Sequence, residues 1–534
     1  MAKGFQQDKQ WNWKNFWIVF CVAWFGQLAF GYPSSIIGVT LAQPAFLEYM
    51  GLIDANGLTA DANSLIGATS GVFQAGAFFG VIIGSFVMDK WGRKVGTYFC
   101  AICSIIGGAG LCGSVHIGMF IAFRFVAGMG SWGFLALTPV YSAELAPPAL
   151  RGFFVGQNGM GITIGYSLAS YMGLAFYYAK SPATQWRAPL GLALIFPVAE
   201  VIFVYFFAPE SPRYLLMRGR VEEAREIVMS IHHVQGDEDQ EYARAEFYQM
   251  QKQADFDKAL EPTYKAMFTK PSYRKRTFLA CFFAFIGQST AVLVINNYGP
   301  LLYKALGYDT VGQLKLQVGW ITMGTPANLL GACIMDKVGR KPLMLIGIFG
   351  CCLCLTVETA IIATYASPVP AIDPNLPALR AGVAMFYIFL LFYGCGIDVA
   401  GVVFYSEIFP NHLRAKGVAM SIAVIALTDL VYLQATATAF ANIGWRFFLV
   451  FVIISGLGGI GAIFLLPETK GVPLEEIAAI FGDTDEVMVF SEDIHVDRTT
   501  HSLVVDVHHG AQSVGSEEKS TGEENVVQRV ATEG

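Results

Sequence analysis

MDKWGRK occupies residues 88–94, and MDKVGRK returns at residues 335–341. Each copy closes one long apolar run and opens the next. A charged knot between two greasy stretches marks a turn at the edge of a bilayer. Its return 247 residues later marks two like halves. That pair of motifs decides the class of the chain.

Composition agrees. The 534 residues are 54% hydrophobic and only 14% charged, with a mean hydropathy of +0.50. Soluble domains carry about a quarter charged residues. A helix needs about 20 apolar residues to cross the hydrocarbon core. Twelve such runs stand at 16–40, 64–88, 96–115, 117–141, 153–176, 188–208, 277–298, 318–335, 343–364, 381–405, 418–440 and 446–466. They are spans 1 to 12. Alternation at period two, the mark of a membrane barrel, is absent. The reading is an all-α membrane protein of twelve transmembrane helices in two six-helix bundles. Its parts are an N-terminus (1–15), a first bundle (16–208), a central loop (209–276), a second bundle (277–466) and an acidic tail (467–534).

Lys and Arg gather on the cytoplasmic side of such proteins. With the N-terminus inside, the inner stretches hold 28 of the 35 and the outer loops five. Both termini are therefore expected in the cytoplasm, and the membrane is expected to be that of the cell surface. The first residues, MAKGFQQDKQWNWKNF, are polar, and the apolar run behind them is too long for a secretory leader. From residue 483 twelve Asp/Glu face three Lys/Arg, a net of −9. The preceding 482 residues then carry +3 of the whole-chain −6, and nothing suits a nucleic acid. The tail is expected to be disordered beyond about residue 485, with brief apolar exceptions at 487–490 and 503–507. The ten cysteines all lie in apolar runs. CAIC (100–103) and CCLC (351–354) have redox or metal spacing, but no His or acid sits beside them. They read as packing residues, so neither a metal nor a cofactor is expected.

More charges repeat. ELAPPALRG sets Glu144 seven before Arg151, and EIFPNHLRAKG sets Glu407 seven before Arg414. PESPR (209–213) closes the first half and PETKG (467–471) the second. Each half thus carries one series on one face: Asp89, Arg93, Glu144, Arg151 and Glu210, then Asp336, Arg340, Glu407, Arg414 and Glu468. Matching networks imply parallel repeats about an axis along the membrane normal. Bidentate Arg–carboxylate pairs there are expected to latch the halves in one state and break in the other.

DKWGRK, ELAPPALRG, PESPRYLL, DKVGRK, SEIFPNHLRAKG and PETKG, in this order, resemble the signatures of the sugar-porter branch of the major facilitator superfamily. The resemblance implies a central cavity lined by spans 1, 4, 7 and 10, and alternating access. It also exposes departures. Proton-coupled members read G-Y-D on span 1, where this chain has GYP with Pro33. Arg124 of span 4, which would face that acid, is kept. The sugar-binding Gln of span 5 falls on Gly159, beside Gln157 and Asn158. On span 7, GQSTAVLVINNY keeps Gln288 and Tyr298, while Leu293 and Asn297 replace the family's Asn and first Tyr. The span 8 Asn falls on Gly324, and GIDVAGV (396–402) has lost the prolines and Trp of span 10. Each unpaired sugar hydroxyl costs about 1–3 kcal/mol, which argues against ordinary hexose affinity.

Two acids appear instead, Asp398 in span 10 and Asp429 near the middle of span 11. An ionisable residue at such depth is a functional candidate by default, as a proton carrier or as a hold on a polar or cationic solute. The candidate solute path is Asn158, Gln288, Asn296, Asn297, Tyr298, Asp398, Asp429 and Arg124. Glu200 and Glu358 fall on spans placed peripherally by the resemblance and read as structural. So does the series Gly67, Gly71, Gly76, Gly80 and Gly84, whose spacing brings helices close. The chain reads as a secondary active or facilitative transporter of a small organic solute, a sugar, polyol or other metabolite. H+ is a candidate co-substrate, the lipid bilayer the surrounding partner and a monomer the functional unit. The alternatives are an exporter of a specialised non-sugar metabolite and a non-transporting nutrient sensor. No HExxH, GxSxG or metal constellation supports an enzyme.

Overall fold

Helices account for every predicted span and outrun most of the apolar stretches, because backbone hydrogen bonding continues into the polar residues at each surface. In this computed structural model the described residues are 12–54, 57–233, 243–244, 247, 250–251, 254, 263–366, 375–470, 480–482, 494–496 and 503–505. At 148–153, 155–156, 336, 376, 406, 411–412, 415, 494–496 and 503–505 the description is of backbone alone. Spans 1 to 4 are Trp13–Leu41, Ala62–Trp91, Arg93–Cys112 and Ile117–Leu145. Span 5 is Pro148–Tyr177, and span 6 runs Pro182–Leu192 and Ile195–Phe206. In the second half, span 7 is Pro271–Gln288 and Val292–Ala305, and span 8 is Thr310–Val338. Span 9 is Arg340–Ile361 with a π turn, Ile362–Ala366. Span 10 is Leu376–Phe392, a π turn Tyr393–Asp398, and Val399–Glu407. Asn411–Ile443 and Arg446–Leu465 are spans 11 and 12.

Eleven of these have the length and hydropathy to cross a bilayer. The twelfth, span 5, has 30 residues, about 45 Å at 1.5 Å per residue. Its hydropathy is diluted by Gln157, Asn158, Thr163, Tyr166, Ser167, Ser170 and Tyr171, which suits a helix facing protein. The chain is an integral, multi-pass membrane protein.

Within the first half, span 4 packs on spans 2 and 3 while span 1 packs on spans 5, 4 and 6. The halves meet along two seams, span 2 on span 11 and span 5 on span 8, with span 1 against the later part of span 7. The glycine series of span 2 divides between partners. A Cβ at Gly67 or Gly71 would strike Gln434 of span 11, across the seam. At Gly76 and Gly80 it would strike the backbone of Phe125 and Met129 in span 4, inside the half.

The central loop contributes helices Pro212–Met217, Val221–Ile231 and Tyr264–Thr269. Val221–Ile231 is tied to the base of span 1, where Asn15 Nδ2 donates to the carbonyls of Ser230 at 3.0 Å and Ile231 at 2.6 Å. Most of the tail, and with it the expectation of disorder, lies outside the described residues. Phe481 nonetheless packs against Arg276 at the base of span 7, ring to guanidinium 4.8 Å. Strands Ile494–Val496 and Leu503–Val505 pair antiparallel, the second falling on a predicted apolar exception.

Candidate functional site

The twin motif builds the same turn twice. Gly92 ends span 2 with φ 102° and Gly339 ends span 8 with φ 105°. Both values need a residue without Cβ. Each turn presents the first N–H groups of the following helix, and a carboxylate from the end of the half takes them. Glu210 accepts from the N–H of Arg93 at 2.8 Å and of Lys94 at 3.3 Å. Glu468 accepts from Arg340 at 3.0 Å and Lys341 at 3.1 Å. A carboxylate is favoured at that positive helix end.

The arginines then reach a second acid. Arg93 Nε and Nη2 each donate at 2.7 Å to Glu144, a bidentate fork. Arg340 Nη2 donates to Glu407 at 3.1 Å, and the other Glu407 oxygen accepts from Thr469 Oγ1 at 2.7 Å. Both pairs lie inside one half, spans 3 and 4 or spans 9 and 10. Where a latch between the halves was expected, these two Arg–carboxylate pairs brace each bundle. The ion pair between halves, among the described residues, is Lys416 Nζ to Asp89 Oδ2 at 2.8 Å. Lys416 is one of the inner-side cations counted in the sequence. Arg414 lies two residues before it on span 11, part-buried. The side chains of Arg151 and Asp336 lie outside those described.

In the interior of the first half Arg124 is almost wholly buried. Its Nε donates to the carbonyl of Thr69 at 2.9 Å and its Nη1 to that of Pro33 at 3.4 Å. The guanidinium carbon lies 4.0 Å from the Phe73 ring centroid. Main-chain dipoles and a π face thus hold the arginine where the family has an acid. Beside it is a cavity of about 10 Å³, lined in part by Ser104 and Ser131, whose hydroxyls have no protein partner. Asn158 is tied into the same half: its Oδ1 accepts from Gln27 Nε2 at 3.1 Å, and its Nδ2 donates to the carbonyl of Phe154 at 2.8 Å. Trp24 Nε1 donates to Gln157 Oε1 at 3.1 Å. A Cβ at Gly159 would meet nothing.

The second half holds a different cluster, built on two helix breaks. Span 7 breaks at 289–291, where Ala291 takes φ 72°, the one positive φ among described non-glycine residues. Span 10 widens into the π turn that ends at Asp398. Broken helices at membrane depth mark binding sites in transporters, and π turns gather at functional sites. The breaks face each other. Gln288 Nε2 donates to Tyr393 Oη at 3.5 Å, and Ser289 Oγ lies 2.9 Å from Tyr432 Oη of span 11. Asp398 Oδ2 accepts from Asn328 Nδ2 of span 8 at 2.9 Å. Asp429, one turn before Tyr432, is 2% exposed, and its Oδ2 has no partner.

Gln288 thus meets Tyr393, and Asp398 meets Asn328, partners that sequence reasoning missed, while Asp429 lies buried one turn before Tyr432. The available signals were the paired glycines of YGCGID and the hydroxyls of GQST. Asn296, Asn297 and Tyr298 are placed elsewhere, along the seams. The Asn296 carbonyl accepts from Gln317 Nε2 at 2.9 Å, and Asn297 Nδ2 donates to its own helix at Leu293. Tyr298 Oη donates to the carbonyl of Leu433 at 3.0 Å. Gly38 of span 1 packs on the carbonyls of both asparagines.

Comparison with known proteins bears on this architecture. The family model described as "Sugar (and other) transporter" matches residues 19–481. The chain is 30% identical over 478 residues to the MFS-type transporter criB of Aspergillus cristatus, covering 89% of this chain and 95% of that protein. It is 29% identical over 493 residues to a probable quinate permease of Neosartorya fischeri, covering 88% of each. Among solved structures, the proton:xylose symporter XylE bound to 6-bromo-6-deoxy-D-glucose superposes with a TM-score of 0.70. That match, at 23% identity, covers 88% of this chain and 99% of that one, and it shows the two-bundle fold. With twelve spans, a doubled charged turn and a polar cluster where its helices break, the chain belongs to the sugar (and other) transporter family of the major facilitator superfamily, membrane carriers of small solutes rather than enzymes.

Proposed function

We propose that this carrier moves a small organic solute without net negative charge by alternating access, binding it between the break of span 7 and the π turn of span 10. The observation that carries the reading is the charge of that cluster. It holds two carboxyl groups, and neither is paired with a Lys, Arg or His among the described residues. Arg124, the buried cation of the first half, is committed to carbonyls of spans 1 and 2. An anionic solute would meet two carboxyls and no counter-charge, which costs several kcal/mol in a desolvated site. Sugars and polyols fit the charge, and so does a basic or neutral metabolite. The second of these is favoured by Gly159, which leaves open space, and by Gly324, packed at van der Waals distance on Leu390 and Thr163, where the family offers hydrogen-bonding side chains.

The carrier works as a monomer in the plasma membrane, with both termini and the doubled charged turn on the cytoplasmic face. Exchange of labelled D-glucose, myo-inositol and quinate by the purified full chain in proteoliposomes tests the solute class. Saturable exchange of a neutral polyol in preference to quinate is expected. Preference for quinate at a neutral pH overturns the charge argument. No exchange of any of the three by protein that unfolds cooperatively overturns the polyol reading in favour of the non-sugar metabolite.

A further inference from the structure

Arg124 is almost wholly buried, and no Asp or Glu among the described residues pairs with it. Carbonyls of Thr69 and Pro33 take two of its N–H groups, and the Phe73 ring covers one face. The remaining N–H groups find no acceptor among the described residues. Carbonyl dipoles and a π face soften a buried charge without neutralising it, and an uncancelled charge inside a membrane bundle is costly.

The cavity of about 10 Å³ beside the guanidinium is placed to supply what is missing. Four spans wall it, with Pro33 of span 1, Ser104 of span 3, Arg124 and Ser131 of span 4, and Leu190 of span 6. The serines carry the argument further. A serine inside a helix can bond back to the carbonyl one turn before it, as Ser167, Ser421 and Ser455 do here. Ser104 is 6% exposed and Ser131 0%, yet neither hydroxyl has a protein partner.

We propose that this cavity binds a small monatomic anion, chloride or another halide, held by the Arg124 guanidinium and the hydroxyls of Ser104 and Ser131. Size selects for it. A cavity of about 10 Å³ takes one guest of about the size of a water molecule, which excludes phosphate, sulfate and organic anions. Polarity selects for it too. The polar side chains in the wall can all donate a hydrogen bond, and no acid, amide or imidazole stands among the described residues that line it. A halide needs donors alone and cancels the charge. A water molecule has two hydrogens to place and leaves the charge uncancelled. The anion joins span 3 to span 4 through the serines and leaves the grip of Arg124 on spans 1 and 2 intact, so its binding stabilises the first bundle. The site lies in the other half from the breaks of spans 7 and 10 and is independent of the solute carried.

The test uses the purified full chain and no solute, so it fails or succeeds separately from the transport reading. Unfolding temperature is followed as chloride replaces gluconate, an anion too large for the cavity, at constant ionic strength. A ligand that binds only the folded chain raises stability with the logarithm of its concentration once that exceeds the dissociation constant. The unaltered chain is expected to show this rise. Ser104→Ala combined with Ser131→Ala keeps the charge and removes only two oxygens, and it should move the onset of the rise to several-fold more chloride. Arg124→Met should unfold at one temperature in both salts. No rise in the unaltered chain overturns the proposal and leaves the cavity to water. A rise kept undiminished in the double serine variant or in Arg124→Met is a general salt effect and overturns it as well.

Discussion

Lys416 Nζ stands 2.8 Å from Asp89 Oδ2 and joins the two bundles at the charged face. The side chains are 18% and 35% exposed, and the Lys416 ammonium also lies 5.7 Å from the ring centroid of Tyr264 in the central loop. Exposed pairs contribute about 0–1 kcal/mol. That is little for folding, yet 1 kcal/mol moves a two-state equilibrium about fivefold.

Asp89→Asn and Lys416→Met should therefore leave thermal unfolding nearly unchanged and slow solute exchange several-fold. The exchanged pair Asp89→Lys with Lys416→Asp should recover most of the rate. A swap no faster than either single variant would show that the bond does not bias the cycle.

The two Arg–carboxylate braces are not equal. Arg93 grips Glu144 with two bonds, and both side chains are about nine-tenths buried. Arg340 reaches Glu407 through Nη2, and the other Glu407 oxygen accepts from Thr469. Removing one partner of a buried pair strands the other charge, at a cost of about 3 kcal/mol or more. Arg93→Ala should lower the unfolding temperature clearly more than Arg340→Ala in the same detergent. Equal losses would mean that the second brace is as strong as the first.

Much of this architecture is legible in the residues. The doubled MDKxGRK, the Glu–Arg spacings and the closing PES and PET place the spans, the halves and the charged face, because membrane helices are written as long apolar runs with charges at their ends. Three things are not legible. A break such as Ala291 leaves no mark in hydropathy, since an alanine in the left-handed region reads like any other alanine. The π turn of span 10 is marked only by the paired glycines of YGCGID, and these do not say that Tyr393 faces span 7. Lys416 differs from the other inner-side cations only in which acid it can reach, and that depends on how span 11 lies along span 2. Pairing across a seam is set by three-dimensional packing, which one sequence does not record.

The split glycine series yields a contrast. A methyl at Gly80 would collide with the Met129 backbone inside the first bundle, and one at Gly67 with the Gln434 backbone across the seam. Overpacking within a well-packed bundle costs about 1–3 kcal/mol. Gly80→Ala should lower the unfolding temperature, whereas Gly67→Ala should spare it and slow exchange, because its collision is with the other half and disfavours this packing of the seam rather than the fold of either bundle. Loss of folding in Gly67→Ala as large as in Gly80→Ala would mean that the seam is part of the folded core.

Arg124 offers an ordering that separates a structural tie from half of an ion pair. The planar guanidinium donates in two directions, to Thr69 of span 2 and Pro33 of span 1, while its face covers Phe73. An ammonium has neither the fork nor the flat face. Arg124→Lys would keep a buried charge and lose part of what solvates it. Arg124→Met would remove the charge, keep much of the volume and leave two carbonyls that can be satisfied within their own helices. With no carboxylate partner to strand, the neutral variant should be the milder one, by about 1–2 kcal/mol, the difference a poorly solvated buried charge makes. Unfolding of both variants in detergent measures it. If Arg124→Met proves the less stable, a partner is being stranded after all, and the arginine is one half of an ion pair.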